Sequence, residues 1–304
     1  MNIPKSIRPE DLVLVVSPAS APLPKELDAG IEYLRRTGLR VEEAANVRKI
    51  WGDFAGSDEE RRQDLQWALD HPEAKMIICS RGGYGCGRIF RDLDFTGFRK
   101  NPKWLVGFSD VTVLHSILQI KGFASIHGPM LVHYSRMMQL PACIKQQDVL
   151  MRGFSLNFPV TYAGPDVPES GISGPLTGGN LSLLEYLIPE LSPDFFDGHI
   201  LFLEEVGEAY YKIDRLLDRL FRSGLTEGLK AIVLGTFSEC NPQSFPLDPS
   251  AMIREKMEGI PVFHGLPCGH ATPGMPLIMG YPALISKGAD DTWTFRQNGL
   301  SLFH

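Results

Sequence analysis

The hydrophobic residues in the first half of the chain follow two alternating patterns. Continuous apolar runs such as Leu12–Val16 are typical of buried strands. Between these runs apolar residues recur at helical spacing, as Leu27, Ile31 and Leu34 do, which predicts amphipathic helices. The predicted elements are strands at 12–16, 75–79 and 104–106 and helices at 25–37, 57–70 and 111–120. Strands that alternate with helices in this way favour a parallel sheet with helices on both faces.

The second half begins with a stretch that is rich in proline and glycine. Residues 157–174 have the composition of a connection between domains. Beyond them the pattern predicts strands at 199–203, 230–235 and 293–295 and helices at 181–187 and 210–221. The sequence therefore predicts an N-terminal domain at 1–156, a linker at 157–174 and a C-terminal domain at 175–304.

The composition is that of an ordinary globular protein, and it narrows the classes of partner. The chain has 304 residues, of which 43% are hydrophobic and 22% charged, so it can bury a core without a disulfide or a structural metal. The formal net charge is −6 and no basic run occurs, so neither a nucleic acid nor a membrane is an expected partner. The five cysteines form no CxxC pair, and no signal or membrane-spanning segment is recognisable. We therefore expect a soluble, cytoplasmic protein with reduced thiols.

A glycine-rich segment follows the strand predicted at 75–79. It reads Arg81-Gly-Gly-Tyr-Gly-Cys-Gly87, and its glycines allow the backbone to bend and to expose N–H groups. Such a loop suits an anion or an oxyanion. It matches neither the dinucleotide fingerprint GxGxxG nor the phosphate loop GxxxxGK(S/T), and a plain tight turn is the alternative.

Ser109 lies where a predicted strand passes directly into a predicted helix. In Val106-Gly-Phe-Ser-Asp110 this position exposes the serine hydroxyl and directs the next backbone N–H to the same point, as in a nucleophile elbow. The segment reads GxSD rather than GxSxG, so it does not match an α/β-hydrolase. The alternative is that Ser109 or Asp110 is only the N-cap of the following helix.

Two further segments supply a carboxylate and an imidazole. Glu204 and Glu205 end an apolar strand, and because side chains alternate along a strand only one of them can face a given cleft. His270 ends a turn-rich segment, and histidine is the usual general base near neutral pH. The alternatives are a solvated strand end and a structural histidine. Together with Ser109 and the glycine-rich loop, these residues are the parts of an acyl-transfer site.

Six short motifs together resemble one peptidase family. They are Arg81-Gly-Gly-Tyr-Gly85, Gly107-Phe-Ser-Asp110, His127-Gly-Pro-Met130, Gly178-Gly-Asn-Leu181, Leu203-Glu-Glu-Val206 and Cys268-Gly-His270. In their order and spacing the chain resembles the murein tetrapeptide LD-carboxypeptidases, a family of serine peptidases that also includes the microcin C immunity peptidases. The resemblance covers nearly the whole chain, from Ser17 to about Leu284. It implies a flavodoxin- or amidotransferase-like α/β domain at the N-terminus, a smaller β-rich domain at the C-terminus, a site between them and a homodimer.

The resemblance also implies roles for individual residues. It implies a catalytic triad of Ser109, Glu204 and His270. It implies an oxyanion hole made by the backbone N–H groups of Asp110 and Gly83. Neither a metal nor an organic cofactor is expected. The implied activity is hydrolysis of the L–D amide bond of a cytoplasmic murein tetrapeptide through an acyl-enzyme, with release of the terminal D-alanine.

Substrate contacts are expected from the glycine-rich loop and from one further motif. The candidates are Arg81, Gly82, Tyr84 and Asn180. A carboxypeptidase must bind a free terminal carboxylate, which is costly to bury without a partner, so we expect Arg81 or the loop N–H groups to bind it.

Two other functions stay open. One is a microcin C-type immunity peptidase, which cleaves an aminoacyl-nucleotide amide. An extra aromatic loop would favour it, and 206–263 contain no clear insertion of that kind. The other is a noncatalytic protein that binds a peptide or a nucleotide.

Overall fold

The chain forms two compact units. A computed structural model describes residues 1–137, 140–153, 155–164, 171–242, 244–272, 274–288 and 290–299. The first unit is Met1–Phe154 and the second is Ser155–Gly299. Across these described ranges, no helix combines the length and the apolar character that a membrane crossing requires.

The first unit is an α/β domain built on a parallel sheet. Its strands are Leu12–Val16 (β1), Arg40–Glu43 (β2), Met76–Cys79 (β3), Trp104–Gly107 (β4) and Ser125–His127 (β5). Its helices are Pro24–Arg36 (α1), Asp58–Asp70 (α2), Cys86–Ile89 (α3), Thr96–Lys100 (α4), Thr112–Ile120 (α5) and Leu140–Arg152 (α6). The strands lie in the order β5-β4-β3-β1-β2, and every neighbouring pair is parallel. The predicted parallel-sheet domain is confirmed.

The central strands of this sheet are buried along their whole length. Every residue of β1, β3 and β4 is buried, which explains why these strands are continuous apolar runs in the sequence. Because the three strands are parallel neighbours, the loops that follow them, at 17–20, 80–85 and 108–109, leave the sheet at the same edge. Ligands of open α/β sheets bind at this carboxyl edge.

The described residues of the second unit form a closed β-barrel and three α-helices. Its strands are Ser155–Tyr162 (β6), Ile172–Asn180 (β7), Ile200–Val206 (β8), Ala231–Ser238 (β9), Val262–His264 (β10), Leu277–Met279 (β11), Pro282–Lys287 (β12) and Trp293–Asn298 (β13), and all of them except β11 belong to the barrel. Its helices are Leu181–Leu187 (α7), Tyr210–Arg222 (α8) and Pro249–Lys256 (α9). The barrel closes in the order β10-β6-β13-β12-β7-β8-β9. The strands from β7 through β8 and β9 to β10 are parallel, and the remaining pairs are antiparallel. The predicted β-rich C-terminal domain is confirmed.

The linker predicted at 157–174 is wrong over most of its described length. Residues 157–162 belong to β6 and residues 172–174 to β7, both in the barrel, while 165–170 lie outside the described residues. In β6 Leu156, Phe158 and Val160 are buried and the residues between them are exposed, which is the period of two of a half-buried strand. Pro159 obscures this pattern, because proline is seldom found inside a sheet.

Candidate active site

Ser109 lies at an abrupt turn between β4 and α5. Its backbone φ of +63° falls in the left-handed region, which costs a residue with a side chain about 1–3 kcal/mol. The turn also requires Gly107, because a Cβ atom there would come within 2.8 Å of Cγ2 of Val111. Strain of this kind, at a half-buried serine on the carboxyl edge of a sheet, is what a nucleophile elbow shows.

A buried histidine holds the start of this turn. Nε2 of His115 lies 2.8 Å from the carbonyl oxygen of Gly107, and Nδ1 lies 2.8 Å from Oγ of Ser125. Burial lowers the pKa of His115 to about 4, so the ring is neutral near pH 7. Nε2–H therefore donates to the carbonyl, and the serine hydroxyl donates to Nδ1. His115 was not predictable from the sequence, because a lone histidine in an apolar helix belongs to no motif.

The glycine-rich loop passes directly beside Ser109. A Cβ atom added at Gly82 would lie 3.1 Å from Cβ and 3.4 Å from Oγ of Ser109. Gly83 has a φ of +108°, and a Cβ atom there would overlap Oγ of Ser20 at 2.1 Å. Gly82 thus adjoins the serine side chain, whereas the α-carbon of Gly83 faces Ser20. The oxyanion role of the Gly83 N–H stays a prediction.

Two buried charged side chains hold the glycine-rich loop in place. Oδ2 of Asp110 accepts a hydrogen bond from the backbone N–H of Cys86 at 2.7 Å, which ties the loop to the elbow. Burial raises the pKa of Asp110, although the Cys86 N–H and the charge of Arg61 act in the opposite direction. Arg61, on α2, donates to the carbonyl of Pro18 and lies against Gly85, where no Cβ atom would fit. The sequence predicted a role only for the backbone N–H of Asp110, and nothing in it marked Arg61.

In the second unit the structure brings Glu204 and His270 together. Nδ1 of His270 lies 2.6 Å from Oε2 of Glu204, which is fully buried on β8. Because an ionised carboxylate only accepts hydrogen bonds, Nδ1 carries the proton and Nε2 is the nitrogen that a base would use. Burial raises the pKa of Glu204. Burial alone would lower the pKa of His270, but the hydrogen bond to Glu204 and its negative charge outweigh this, and the pKa is raised.

The loop that carries His270 is anchored on the neighbouring strand. The backbone N–H of Ala271 donates to Oγ1 of Thr236, on β9, at 3.2 Å. Gly269 has a φ of +115°, and a Cβ atom there would lie 2.7 Å from Oγ1 of Thr236 and 3.0 Å from Cβ of Glu204. A side chain at position 269 would therefore push the loop away from the carboxylate.

Glu205 forms its hydrogen bonds with Asn180, Ser182 and Val206. Oε1 of Glu205 accepts from Nδ2 of Asn180 at 2.9 Å and from its neighbour Val206 N–H at 2.8 Å. Oε2 accepts from the N–H of Ser182 at 2.9 Å and from its Oγ at 2.7 Å. Glu205 thus ties β8 to the start of α7, as a structural residue.

Asn180, one of the expected substrate contacts, caps α7 in the structure. It is 3% exposed, and its Oδ1 accepts from the N–H of Leu183 at 3.3 Å, as the N-cap of α7. Its amide nitrogen donates to Oε1 of Glu205 at 2.9 Å, and the expected contact of Asn180 with substrate stays a prediction. This capping role is visible in the sequence as an asparagine directly before a helical apolar pattern.

Arg81 and Tyr84, the remaining predicted substrate contacts, line an open cleft of about 360 Å³ in the first unit. Both side chains are exposed, and Nη1 of Arg81 donates to the carbonyl of Ala21 at 3.3 Å. Asp53 and Phe54 line the same cleft. These two residues were not predictable from the sequence, because only the fold brings their turn beside the glycine-rich loop.

The described residues contain no group of three or more histidine, cysteine, aspartate or glutamate side chains that could hold a metal ion. What they offer is a strained serine beside a glycine-rich loop in one unit and a carboxylate–imidazole pair in the other. These are the groups of nucleophilic acyl transfer.

The chain matches known proteins along nearly its whole length. Residues 13–128 match the LD-carboxypeptidase N-terminal domain, and residues 173–285 match the LD-carboxypeptidase C-terminal domain. A probable murein peptide carboxypeptidase of Bacillus subtilis is 32% identical, over 93% of this chain and 91% of that protein. The murein tetrapeptide carboxypeptidase of Pseudomonas aeruginosa is also 32% identical, over 90% of this chain and 92% of that protein.

Solved structures show the same fold. A crystal structure of muramoyltetrapeptide carboxypeptidase from Oxalobacter formigenes aligns with a TM-score of 0.83 at 30% identity, over 95% of this chain and 99% of that one. The structure of MccF in complex with glutamyl sulfamoyl guanosine aligns with a TM-score of 0.84 over 98% and 99% of the two chains. At 20% identity the second likeness concerns the fold alone. From the two matched domains and these relatives, the chain belongs to the LD-carboxypeptidase family of peptidases.

Proposed function

We propose that the protein is a serine carboxypeptidase that hydrolyses murein tetrapeptides. The bond it cleaves joins the L-centred diamino acid at position three to the terminal D-alanine. The observation that carries the proposal is the contact of the fully buried Glu204 with His270, with 2.6 Å between Oε2 and Nδ1. The strained turn at Ser109 and the names of the two murein peptide carboxypeptidases support it.

In the proposed reaction Oγ of Ser109 attacks the carbonyl carbon while Nε2 of His270 takes the hydroxyl proton. Glu204 keeps the ring in the required tautomer and stabilises the imidazolium that forms. His270 then gives the proton to the leaving amine of D-alanine, and the C–N bond breaks to leave an ester on Ser109. Water, deprotonated by His270, hydrolyses this ester and restores the serine. The reaction requires Ser109 Oγ and His270 Nε2 to come within hydrogen-bond distance.

The oxyanion of the tetrahedral intermediate needs hydrogen-bond donors that are already in position. We assign this role to the backbone N–H groups of Asp110 and Gly83. Asp110 follows the nucleophile directly, which is where an elbow supplies one donor. Gly83 belongs to the loop whose preceding residue, Gly82, adjoins the Ser109 side chain. Preorganised donors of this kind are each worth about 10²- to 10³-fold in kcat.

The proposal includes a cytoplasmic location and a homodimer, both of which the family resemblance implies. The five cysteines are free thiols, which suits a reducing compartment.

Incubation with a defined set of muropeptides tests the proposed function. Mass spectrometry should detect D-alanine released from the tetrapeptide by the wild-type protein and not by Ser109→Ala. Cleavage of an aminoacyl sulfamoyl adenosine with the tetrapeptide left intact would instead assign a microcin C-type activity. If neither compound is cleaved and a fluorophosphonate does not label the protein, the chain is a noncatalytic binding protein.

A further inference from the structure

The glycine-rich loop is anchored on two sides within the first unit. On one side the N–H of Ser20 donates to the carbonyl of Gly82 at 3.2 Å, and the N–H of Tyr84 donates to Oγ of Ser20 at 3.4 Å. On the other side the N–H of Cys86 donates to Oδ2 of Asp110 at 2.7 Å. Ser20 lies on a neighbouring loop, so its bonds hold two loops to each other. The bond to Asp110 instead fixes the glycine-rich loop against the turn of the proposed nucleophile.

The glycine-rich loop has little stiffness of its own. Gly83 has a φ of +108° and Gly85 a φ of +148°, which are values that residues with side chains rarely adopt. Glycine also loses more conformational freedom on folding than any other residue, so a loop rich in glycine does not hold one shape by itself. A backbone N–H that stabilises a transition state has to be in position before the reaction begins. The donor that we assign to Gly83 therefore depends on bonds from outside the loop.

The side chain of Asp110 is directed at the end of this loop. It is 1% exposed, and its bond to Cys86 reaches back 24 positions in the sequence. Burial raises the pKa of Asp110. The groups that oppose this rise are the N–H and the thiol of Cys86, the charge of Arg61 and the N–H of Gly85. Three of these four groups belong to the loop, so the carboxylate contacts the loop at more than one point.

The anchor at Asp110 is a buried charge, which makes it both costly and strong. An ionised carboxylate is expensive to bury without a compensating partner. Arg61, whose side chain is also buried, supplies a positive charge nearby, and it donates to the carbonyl of Pro18 on the loop of Ser20. A charge-assisted hydrogen bond is shorter and about twice as strong as a neutral one, and 2.7 Å lies in its range. The carboxylate thus holds the loop more tightly than a neutral acceptor would.

We propose that the side chain of Asp110 positions the oxyanion hole. This inference rests on the proposed function, in which the backbone N–H of Asp110 is one donor and the N–H of Gly83 is the other. The carboxylate of Asp110 holds, through Cys86, the loop that carries the second donor. One residue therefore sets the distance between two donors that must reach the same oxygen. Loss of the carboxylate should weaken the stabilisation of the tetrahedral intermediate and leave substrate binding in place, so kcat should fall with little change in KM.

Three variants of Asp110 test the anchor. Asp110→Leu has nearly the shape of aspartate without an acceptor, Asp110→Ala leaves a cavity, and Asp110→Asn keeps an oxygen that can accept from the Cys86 N–H. The first two should lower kcat for the tetrapeptide by at least about 10²-fold, which is the value of one oxyanion donor. The rate of labelling by a fluorophosphonate should fall in parallel, because the phosphonyl oxygen uses the same donors. Asp110→Asn should restore kcat to at least about tenfold above that of Asp110→Leu, because its oxygen accepts the same bond without the charge.

Asp64 provides the matched control, because it is a buried carboxylate with the same kind of contact. It is 5% exposed, its Oδ2 accepts from the N–H of Asn46 at 2.9 Å, and burial raises its pKa. It lies on α2 and holds the loop that follows β2. Asp64→Leu and Asp64→Ala should lower the midpoint of thermal unfolding, measured by circular dichroism. The kcat and the labelling rate of the folded protein should stay those of the wild type.

Each outcome decides for or against the positioning role. A wild-type kcat in Asp110→Leu, an equal loss in Asp110→Asn and Asp110→Leu, or a similar loss in the Asp64 variants would overturn it. A higher KM at unchanged kcat would place the anchor in substrate binding instead. If Asp110→Leu and Asp110→Ala both failed to fold while the Asp64 variants folded, Asp110 would be a folding residue and the inference would be wrong. If the wild-type protein itself neither released D-alanine nor reacted with the fluorophosphonate, the proposed function would fail.

Discussion

The carboxylate of Glu204 meets the imidazole of His270 at 2.6 Å, although 66 positions separate them in the sequence. Glu205, the next residue on the strand, contacts Asn180 and Ser182 instead. Two neighbouring residues of one strand therefore have different roles: Glu204 contacts the histidine, and Glu205 binds the N-terminus of a helix. Glutamine substitutions separate these two roles.

Glu204→Gln should lower kcat by about 10³- to 10⁴-fold, because an amide neither fixes the tautomer of His270 nor stabilises its charged form. Thermal unfolding should change little. Steady-state kinetics with the tetrapeptide measure the first effect and circular dichroism the second. Retention of wild-type kcat would contradict the role of Glu204.

Glu205→Gln is the matched control, and its effect should fall on stability. In glutamine an NH₂ group takes the place of one carboxylate oxygen. Both oxygens of Glu205 accept hydrogen bonds, for example from the Ser182 N–H at 2.9 Å, so the new NH₂ group would face another donor. A loss of about 1–3 kcal/mol in the free energy of unfolding is expected, with kcat of the folded protein retained. A kcat as low as that of Glu204→Gln would show that the two carboxylates act together.

The pH profile should have an acid limb set by His270. The base must be neutral, and because Glu204 raises the pKa of His270, kcat/KM should fall as the pH drops through a value above the ordinary 6.5. In Glu204→Gln the limb should move to lower pH. The contribution of the Glu204–His270 pair to the free energy of unfolding depends on pH in the opposite direction to kcat/KM. It is complete below the unfolded-state pKa of about 6.5 and is lost as the pH rises through the raised folded-state pKa. An acid limb that stays at the same pH in the variant would show that another group sets it.

The parallel sheet was predictable because its signals are local. Strands buried on both faces are apolar at every position, so β1, β3 and β4 are visible as runs. The first barrel strand, β6, was not predicted, because Pro159 interrupts its alternation of apolar and polar residues. The burial of Leu156, Phe158 and Val160 in the structure shows this alternation. Closure of the barrel joins β10 to both β6 and β9, and such pairings between distant segments leave no local pattern.

The site was predictable only in part, for a related reason. Ser109 is marked by its place between an apolar strand and a helix, and the motifs that carry the family resemblance point to Glu204 and His270. Arg61 and Asp53 lie in no comparable sequence motif. Each is one charged residue among many in the sequence, and only the fold sets Arg61 under the glycine-rich loop and Asp53 beside it.

Ser109→Ala should lower kcat by at least about 10³-fold and abolish labelling by a fluorophosphonate. The fold should persist, because alanine occupies the same volume apart from one oxygen. Ser116→Ala, which removes a buried hydroxyl on α5 that donates to Thr112, is the control and should keep its activity and its label. If Ser109 were only a helix cap, Ser109→Ala would instead lose about 1 kcal/mol of stability and keep its turnover.

Gly82→Ala tests the close approach of the glycine-rich loop to the nucleophile. The new Cβ atom would lie 3.1 Å from Cβ of Ser109 and 3.3 Å from Cε of Met130, and although the methionine can move, the serine is fixed by its turn. A displacement of the hydroxyl should lower kcat by about tenfold or more. Gly171→Ala, whose nearest contacts would be an ordinary 3.4 Å, is the control. Equal activity of the two variants would show that Gly82 leaves room for a side chain.

The terminal residue of the substrate, which leaves as the free amino acid, should be selected by its carboxylate and by its configuration. A free terminal carboxylate beside Ser109 needs donors, and the N–H groups of the glycine-rich loop can supply them without a competing positive charge. An amidated terminus removes the charge-assisted partner of these donors, so we expect kcat/KM for the amidated tetrapeptide to fall by about 10²-fold or more. Inversion from D- to L-alanine exchanges the directions of the methyl group and the carboxylate, and it should cost a similar factor. Competition among the three peptides in one mixture, followed by mass spectrometry, measures these ratios directly. Comparable kcat/KM for all three would leave a serine amidase without carboxypeptidase selectivity.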